Sequence, residues 1–233
     1  MNSEMKGHIL LEGGAEFGGQ MAAADRRGIE LAGGAYAPLC IIPAAAAPDH
    51  NDQRAGQNGV TWFKHLGARQ VTLLPVVDAD SANNRSYAEV LRKARFIYLL
   101  GGFTHYLGQS LAGSLCYQAM VEAYAAGAVL AGSSAGAMVL CEHYYNPEER
   151  STVKGLNFVP SACVIPHHNT FGQRWAPDLA KSLPGITLVG IDEQTGTLDD
   201  GPQGEWNVYG LGAVTLYRNG KSSAYHPGET FGL

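Results

Sequence analysis

The stretch Val129-Leu-Ala-Gly-Ser-Ser-Ala-Gly-Ala-Met138 joins one apolar run to another through a series of small residues. It contains Gly132-Ser-Ser-Ala-Gly136, a G-x-S-x-G pattern, between a predicted strand and a predicted helix. A nucleophile elbow requires this order, because its sharp turn holds a serine hydroxyl above the sheet and beside the helix N-terminus. The glycine spacing centres on Ser134, and Ser133 is the neighbouring alternative. The same residues are also compatible with a non-catalytic strand-to-helix turn in which a serine caps the helix.

Short apolar runs alternate with helical stretches along the chain that leads to this turn. Parallel strands that are covered on both faces are nearly continuously apolar, so the alternation predicts an α/β fold with a doubly wound, mostly parallel sheet. The predicted strands are His8–Glu12, Leu39–Pro43, Gln70–Val76, Phe96–Leu100 and Val129–Ala131, and the predicted helices are about Phe17–Leu31, Asn51–Leu66, Tyr87–Lys93 and Leu115–Ala126.

The C-terminal third has a different pattern, with short strands and no long helix between them. Asn219-Gly220 is typical of a type I′ turn that joins two antiparallel strands. We therefore expect antiparallel strands at an edge of the parallel sheet. The predicted strands here are Ile186–Ile191, Gly196–Leu198, Trp206–Tyr209, Ala213–Tyr217 and Ser222–Tyr225.

Composition excludes several classes of protein. The 233 residues fit one α/β domain, predicted over 1–233, and the net charge of −5 without a basic stripe argues against nucleic-acid binding. No apolar run reaches the ~18 residues of a membrane span, and residues 1–14 lack the apolar core of a signal peptide. Four scattered cysteines are expected to be free, buried thiols of a cytoplasmic protein: Cys40, Cys116, Cys141 and Cys163.

A serine nucleophile needs a base, and the base needs a group that orients it. His168 follows an apolar run, at the end of a predicted strand, and the spacing does not exclude the adjacent His167. Glu193 lies at the end of another predicted strand, which makes it the candidate acid. The order serine, histidine, acid differs from that of the α/β-hydrolases. Three acids between the serine and the histidines would restore the α/β-hydrolase order: Glu142, Glu148 and Glu149.

The oxyanion formed during acyl transfer needs two hydrogen-bond donors near Ser134. The N–H of Ala135 follows from the elbow. A second donor is expected at Gly101-Gly102, a glycine pair at the end of the predicted strand Phe96–Leu100. The glycine pair is also compatible with an ordinary strand-to-helix turn.

Five motifs in order resemble those of the serine peptidase family that contains dipeptidase E (aspartyl dipeptidase) and cyanophycinase. The resemblance covers most of the chain. It implies a three-layer sandwich like that of the class I glutamine amidotransferases, with serine where those enzymes use cysteine. The motifs are Ile9-Leu-Leu-Glu-Gly-Gly14, Phe96-Ile-Tyr-Leu-Leu-Gly-Gly102, Ala131-Gly-Ser-Ser-Ala-Gly136, Val164-Ile-Pro-His-His168 and Gly190-Ile-Asp-Glu-Gln-Thr195, followed by the similar C-terminal strand Leu211-Gly-Ala-Val-Thr215.

The same resemblance implies a mechanism and a class of substrate. Ser134, His168 and Glu193 would form the catalytic triad, with the N–H groups of Ala135 and of Gly102 or Phe103 as oxyanion donors. The implied reaction is hydrolysis of short or unusual peptides through an acyl-enzyme, by a dipeptidase or another exopeptidase, without metal or cofactor. The sequence leaves both the peptide specificity and the oligomeric state open, a homo-oligomer included.

The chain departs from the family pattern at residues that bear on substrate choice. Phe103 follows the glycine pair where the family often has Asn or Asp. Cyanophycinases carry several arginines after the histidine and a polar pair before it, whereas here only Arg174 follows closely and Pro166-His167 precede. A cyanophycin specialist is therefore not indicated. Arg174 is a candidate substrate contact, because its guanidinium can bind one carboxylate through two hydrogen bonds, and His167 is a second candidate.

Four other interpretations remain open from the residues alone. An esterase or amidase could use the same triad, and a binding domain could retain the scaffold with a silent triad. Nucleotide binding at the glycine-rich stretch 13–19 is disfavoured, because the stretch lacks a Walker lysine and the G-x-G-x-x-G spacing. A metal site at His167-His168 or Glu142-His143 is disfavoured, because adjacent strand residues point to opposite faces.

Overall fold

The computed structural model describes residues 7–233, and strands and helices alternate along them as far as the elbow. Every predicted strand up to that point is present, although several are shorter than expected. The strands are β1 His8–Glu12, β2 Leu39–Ile42, β3 Val71–Leu73, β4 Phe96–Leu99, β5 Val129–Ser133, β6 His143–Asn146, β7 Ser151–Lys154, β8 Ala162–Ile165, β9 Thr187–Ile191, β10 Thr195–Leu198, β11 Trp206–Gly210, β12 Val214–Arg218, β13 Lys221–Tyr225 and β14 Thr230–Phe231. The helices are α1 Ala22–Leu31, α2 Asp52–His65, α3 Ala79–Ala82, α4 Arg85–Lys93, α5 Thr104–Leu111, α6 Leu115–Ala125, α7 Ala135–Leu140 and α8 Ala176–Ser182.

The main sheet has eight strands in the order β14-β11-β10-β1-β5-β4-β2-β3. The five strands from β1 to β3 in this order pair in parallel, and β10, β11 and β14 add antiparallel strands beyond β1. This confirms the predicted parallel sheet with an antiparallel edge. The strand β5, which leads into the elbow, lies between β1 and β4, so the carboxyl ends of all three strands surround the turn.

The remaining C-terminal strands correct the prediction, because they form a sheet of their own. The order is β13-β12-β9-β8, with β8 and β9 parallel and the other pairs antiparallel. The predicted turn at Asn219-Gly220 is present between β12 and β13, and both residues have positive φ, 50° and 73°. Local turn chemistry therefore identified the hairpin, whereas the pairing of β9 with β8 depends on residues far apart in the sequence.

Helices cover both faces of the main sheet, and alternate strand residues pack against opposite layers. Leu10 and Tyr98 face a cluster that contains buried residues of α1 and α2. Ile9 and Leu99 face the other cluster, which contains buried residues of α4 to α7. This is the expected three-layer arrangement.

The first predicted helix begins later than expected. Ala15 and Phe17 have left-handed backbones, with φ of 57° and 63°, which a helix cannot contain, and α1 begins only at Ala22. The residues between β1 and α1 therefore form a loop over the carboxyl end of the sheet. We call residues 13–19 the β1 loop.

The four cysteines are buried and free, as predicted. Within residues 7–233 no helix is long and apolar enough to cross a membrane. The expectation that residues 1–14 lack a signal-peptide core falls partly on residues 1–6, which lie outside the described residues.

Candidate active site

Ser134 occupies a turn between β5 and α7 that few residues other than glycine adopt. Its φ of 49° and ψ of −109° lie outside the ordinary regions for an L-residue. The turn is closed on both sides by glycine: a Cβ at Gly132 would meet the backbone of Gly136, and a Cβ at Gly136 would meet the carbonyl of Leu99. The N–H of Ser134 donates to the Glu12 carbonyl at 2.9 Å. The small residues of the motif are thus needed for a backbone that holds the Ser134 hydroxyl out of the sheet.

The histidine against Ser134 is His167, which corrects the predicted pairing with His168. The Ser134 Oγ lies 3.0 Å from His167 Nε2, and His167 Nδ1 lies 2.8 Å from Glu193 Oε1. Ser134, His167 and Glu193 therefore form one continuous hydrogen-bonded chain. Of the three predicted triad residues, the structure brings Ser134 and Glu193 to this chain and leaves His168 out.

His168 points the other way and is bound elsewhere. Its Nε2 lies 2.8 Å from the Tyr217 hydroxyl and its Nδ1 lies 3.3 Å from Asp192 Oδ1. Only 7% of His168 is exposed. Both histidines lie in the bend after β8, where His167 has a left-handed backbone with φ of 49°, and their rings reach different groups, so only His167 meets the elbow. Spacing in the sequence does not say which one.

The ring of His167 is held between two elements. Phe171 stacks on one face, with ring centroids 4.8 Å apart and planes 22° from parallel. On another side lies Gly14, where any Cβ would collide with the imidazole. The His167 N–H donates to the Gly13 carbonyl at 2.7 Å, and the Glu193 N–H donates to Asn169 Oδ1 at 3.0 Å. The β1 loop and the segment after β8 therefore fix the histidine together.

Two of the three predicted oxyanion donors have free N–H groups. Ala135 is the first residue of α7, so its N–H has no partner within the helix. Gly102 is exposed, has φ of 137°, and its N–H makes no hydrogen bond to any part of the chain between residues 7 and 233. The prediction that the Phe103 N–H serves as an oxyanion donor was wrong. This N–H donates to the Ala45 carbonyl at 2.8 Å and is not available to a substrate.

The remaining candidates are not joined to this chain. Arg174 is exposed and its Nε donates to the Phe171 carbonyl at 3.1 Å, with no hydrogen bond to Ser134 or His167. Glu142, the first of the rival acids, accepts from the Ser161 N–H at 2.7 Å. Across residues 7–233 no three donor side chains are grouped so that they could hold a metal ion.

A group of buried acids directly behind the elbow was not predicted from the sequence. Glu12 ends β1 and is fully buried, its Oε2 accepts from the Tyr98 hydroxyl at 2.5 Å, and Asp25 Oδ2 accepts from Trp62 Nε1 at 2.7 Å. Burial raises the pKa of Glu12 well above its ordinary value and the pKa of Asp25 to about 7. An acidic residue at the end of an apolar strand was the available signal.

A single shared proton would give a hydrogen-bond partner to the two carboxyl oxygens of this group that have none, one on Glu12 and one on Asp25. Glu12 Oε1 and Asp25 Oδ1 are buried and have no hydrogen-bond partner within residues 7–233, and the two carboxyls are close enough for each to influence the pKa of the other. A proton on Glu12 that is donated to Asp25 satisfies both oxygens, and the burial of two carboxyls without a cation favours that protonated state.

A cavity opens beside the free N–H of Gly102. Its volume is about 490 Å³, which is enough for a short peptide segment. Backbone and side chains of the glycine-pair turn and of the segment after β6 line it, among them Gly102, Phe103, His105, Asn146 and Glu148.

A serine at a strained elbow, bound to a histidine that is bound to a carboxylate, is the arrangement that serine hydrolases use for nucleophilic attack. Comparison with known proteins supports a peptidase at the level of family. Peptidase family S51 matches residues 9–201, and the chain belongs to that family of peptidases.

The similarity to individual relatives extends over almost the whole chain. A cyanophycinase of Geminocystis herdmanii is 27% identical, over 97% of this chain and 85% of the relative. A cyanophycinase of Thermosynechococcus vestitus is 29% identical, over 92% of this chain and 69% of the relative. The crystal structure of a peptidase from an acI-B1 actinobacterium superimposes with a TM-score of 0.89 at 29% identity, over 99% of this chain and 98% of that one.

Proposed function

We propose that the protein is a serine-type exopeptidase that cleaves short or unusual peptides with a triad of Ser134, His167 and Glu193. The observation that carries the proposal is the continuous chain of hydrogen bonds from the Ser134 hydroxyl through both nitrogens of His167 to Glu193. Membership of a peptidase family and the similarity to cyanophycinases support an amide bond in a peptide-like molecule as the substrate.

The first half of the reaction forms an acyl-enzyme. His167 Nε2 accepts the proton of the Ser134 hydroxyl as Oγ attacks the peptide carbonyl. Glu193 accepts a hydrogen bond from Nδ1–H, which holds the imidazole in the required tautomer and stabilises its charged form. The N–H groups of Ala135 and Gly102 donate to the oxyanion. His167 then gives its proton to the leaving amine, and the C–N bond breaks.

The second half of the reaction restores the enzyme. A water molecule gives a proton to His167 as it attacks the ester carbonyl, and the Ser134 oxygen leaves with the proton that His167 returns. The new carboxylic acid is the second product. No redox change takes place, so no further reactant is required.

Fluorophosphonate labelling and peptide cleavage test the assignment in four chains: wild type, Ser134→Ala, His167→Gln and His168→Gln. We expect Ser134→Ala to abolish labelling, and His167→Gln to lower kcat/KM by roughly 10³-fold or more. His168→Gln is the matched control, since it changes the adjacent histidine. It should cost stability but retain most of the activity of the folded fraction. Activity that survives His167→Gln and is lost in folded His168→Gln would assign the base to His168.

A library of Asp-Xaa dipeptides, β-aspartyl peptides and longer peptides, read by mass spectrometry, identifies which end of the substrate is cut. A wild-type protein that labels but cleaves only esters or simple amides would contradict the peptidase proposal. A protein that neither labels nor cleaves would favour a binding domain with a silent triad.

A further inference from the structure

Glu16 brings a carboxylate to the side of the elbow. Its Oε2 accepts from the Ser133 hydroxyl at 2.9 Å. Its Oε1 and the Ser134 Cβ lie 3.1 and 3.4 Å from a single point, the position that a Cβ on Gly101 would occupy. The carboxylate is therefore close to the nucleophile Ser134 and to the glycine pair.

The β1 loop is anchored at the two residues that come shortly before Glu16. The Gly13 carbonyl accepts from the His167 N–H at 2.7 Å, and the Gly14 carbonyl accepts from the Gln194 N–H at 3.0 Å. These bonds tie the residues before Glu16 to the segments that carry the histidine and Glu193. The carboxylate is thus part of the same assembly as the triad.

No cation of the described chain compensates this charge. In residues 7–233 no lysine, arginine or histidine forms an ion pair with Glu16. The buried carboxyls of Glu12 and Asp25 lie behind it and add no positive charge. A negative group beside a developing oxyanion opposes acyl transfer unless a positive group lies near it. Besides the imidazolium that His167 forms during the reaction, a positively charged group of the substrate would supply such compensation beside Glu16.

A cavity of about 470 Å³ begins at Glu16 and has aromatic walls. Phe17 and Trp62 line it, and aromatic ring faces attract cations and the apolar stems of basic side chains. Polar groups complete the lining, from Asn58, Thr61 and His65. A carboxylate that lines a cavity together with aromatic side chains is a suitable site for an ammonium or a guanidinium group.

We propose that Glu16 is a specificity-determining residue that binds a positively charged nitrogen group of the peptide substrate. The group is either the free α-ammonium at the N-terminus or the side chain of a lysine or arginine. This deepens the proposed function, on which it rests, by naming the charge that the site selects. It also differs from the expectation for Arg174, which would select a carboxylate.

Binding to Ser134→Ala tests the proposal without requiring turnover. Calorimetry would measure tripeptides in matched pairs: a free against an acetylated N-terminus, lysine against norleucine, and arginine against citrulline. The same pairs would be measured with Glu16→Gln added, which keeps an acceptor for Ser133 and removes the charge. Glu205→Gln is the matched control, because it removes an exposed carboxylate that has no side-chain hydrogen bond within residues 7–233.

We expect at least one charged member of a pair to bind roughly tenfold more tightly than its neutral partner, as for a charge-assisted hydrogen bond. Glu16→Gln should abolish the difference and Glu205→Gln should retain it. A difference in the acetylation pair alone identifies the α-ammonium, and a difference in the side-chain pairs alone identifies a basic side chain.

Equal binding of charged and neutral peptides would overturn the proposal, as would a charge preference that survives Glu16→Gln. Failure of the proposed function has a different signature: wild type would neither label nor cleave, while the charge preference and its dependence on Glu16 would persist.

Discussion

Gly14 shows how one residue constrains the proposed active site. Its φ of 114° lies in the region that favours glycine, and a Cβ there would collide with the His167 ring. The absence of a side chain at Gly14 therefore allows the imidazole to lie between the β1 loop and Phe171. The same ring position brings Nε2 to 3.0 Å from Ser134.

Gly14→Ala should displace the His167 ring and reduce kcat by roughly tenfold to a hundredfold, since small misplacements of a reacting group are costly. Gly33→Ala is a matched control: its φ is 110°, but only the Ala37 Cβ, at 3.9 Å, lies near the added atom. Both variants should lose about 1 kcal/mol of unfolding free energy from the backbone change. Steady-state kinetics and urea unfolding check this, and equal kcat values in the two variants would contradict it.

At the scale of elements, His168 joins three strands of the second sheet. It follows β8, its N–H donates to the Ile191 carbonyl of β9 at 3.0 Å, and its ring binds Tyr217 of β12. A Cβ on Gly190 would collide with the His168 ring. The ring therefore fits against β9 only because the strand has glycine at this position. His168 thus links strands of the second sheet through hydrogen bonds, while the adjacent His167 faces the elbow.

Tyr217→Phe should lower the free energy of unfolding by roughly 1–2 kcal/mol, because it leaves a buried imidazole nitrogen without its partner. The proposed site should retain its kcat/KM, since Tyr217 contacts His168 and not His167. Tyr225→Phe on the paired strand β13 is the control, as its hydroxyl makes no hydrogen bond within residues 7–233. Denaturant unfolding and kinetics on the same samples would check this; a large loss of kcat/KM would mean that His168 affects the chemistry.

At the scale of the whole molecule, the buried acids connect one helical layer to the sheet. Glu12 and Tyr98 come from β1 and β4, whereas Asp25 and Trp62 come from α1 and α2. Because burial raises the pKa values of both carboxyls, the folded protein keeps protons that the unfolded chain loses as the pH rises above about 4. The free energy of unfolding should therefore decrease as the pH rises from about 4 towards the folded pKa of Asp25, about 7.

Asp25→Asn should remove much of this pH dependence, because the amide keeps an acceptor for Trp62 and a donor for Glu12 but cannot ionise. At pH 8 we expect the variant to exceed wild type by roughly 2 kcal/mol in unfolding free energy, a value discounted for relaxation of the buried pair. Thermal unfolding at several pH values checks the slope, with exposed Asp49→Asn as the control. Parallel pH profiles for wild type and Asp25→Asn would refute the shared-proton account.

Much of the fold could be predicted from local patterns. The apolar runs at β1, β2, β4 and β5 identified the parallel strands, since a strand covered on both faces must be apolar throughout. Asn219-Gly220 identified a hairpin, since few other pairs adopt two positive φ angles. The predicted start of the first helix, at about Phe17, was wrong, because nothing in the composition near Phe17 signals a left-handed backbone.

The sequence by itself determined the elements whose cause is local: the strands, the helices of the three layers, the elbow around Ser134 and the hairpin. Tertiary structure alone decided which histidine meets Ser134, that the N–H of Phe103 is occupied, and that β9 pairs with β8. The physical reason is range. Backbone preference and hydrophobic pattern act over a few neighbouring residues, whereas each of these outcomes depends on which distant groups meet when the layers close.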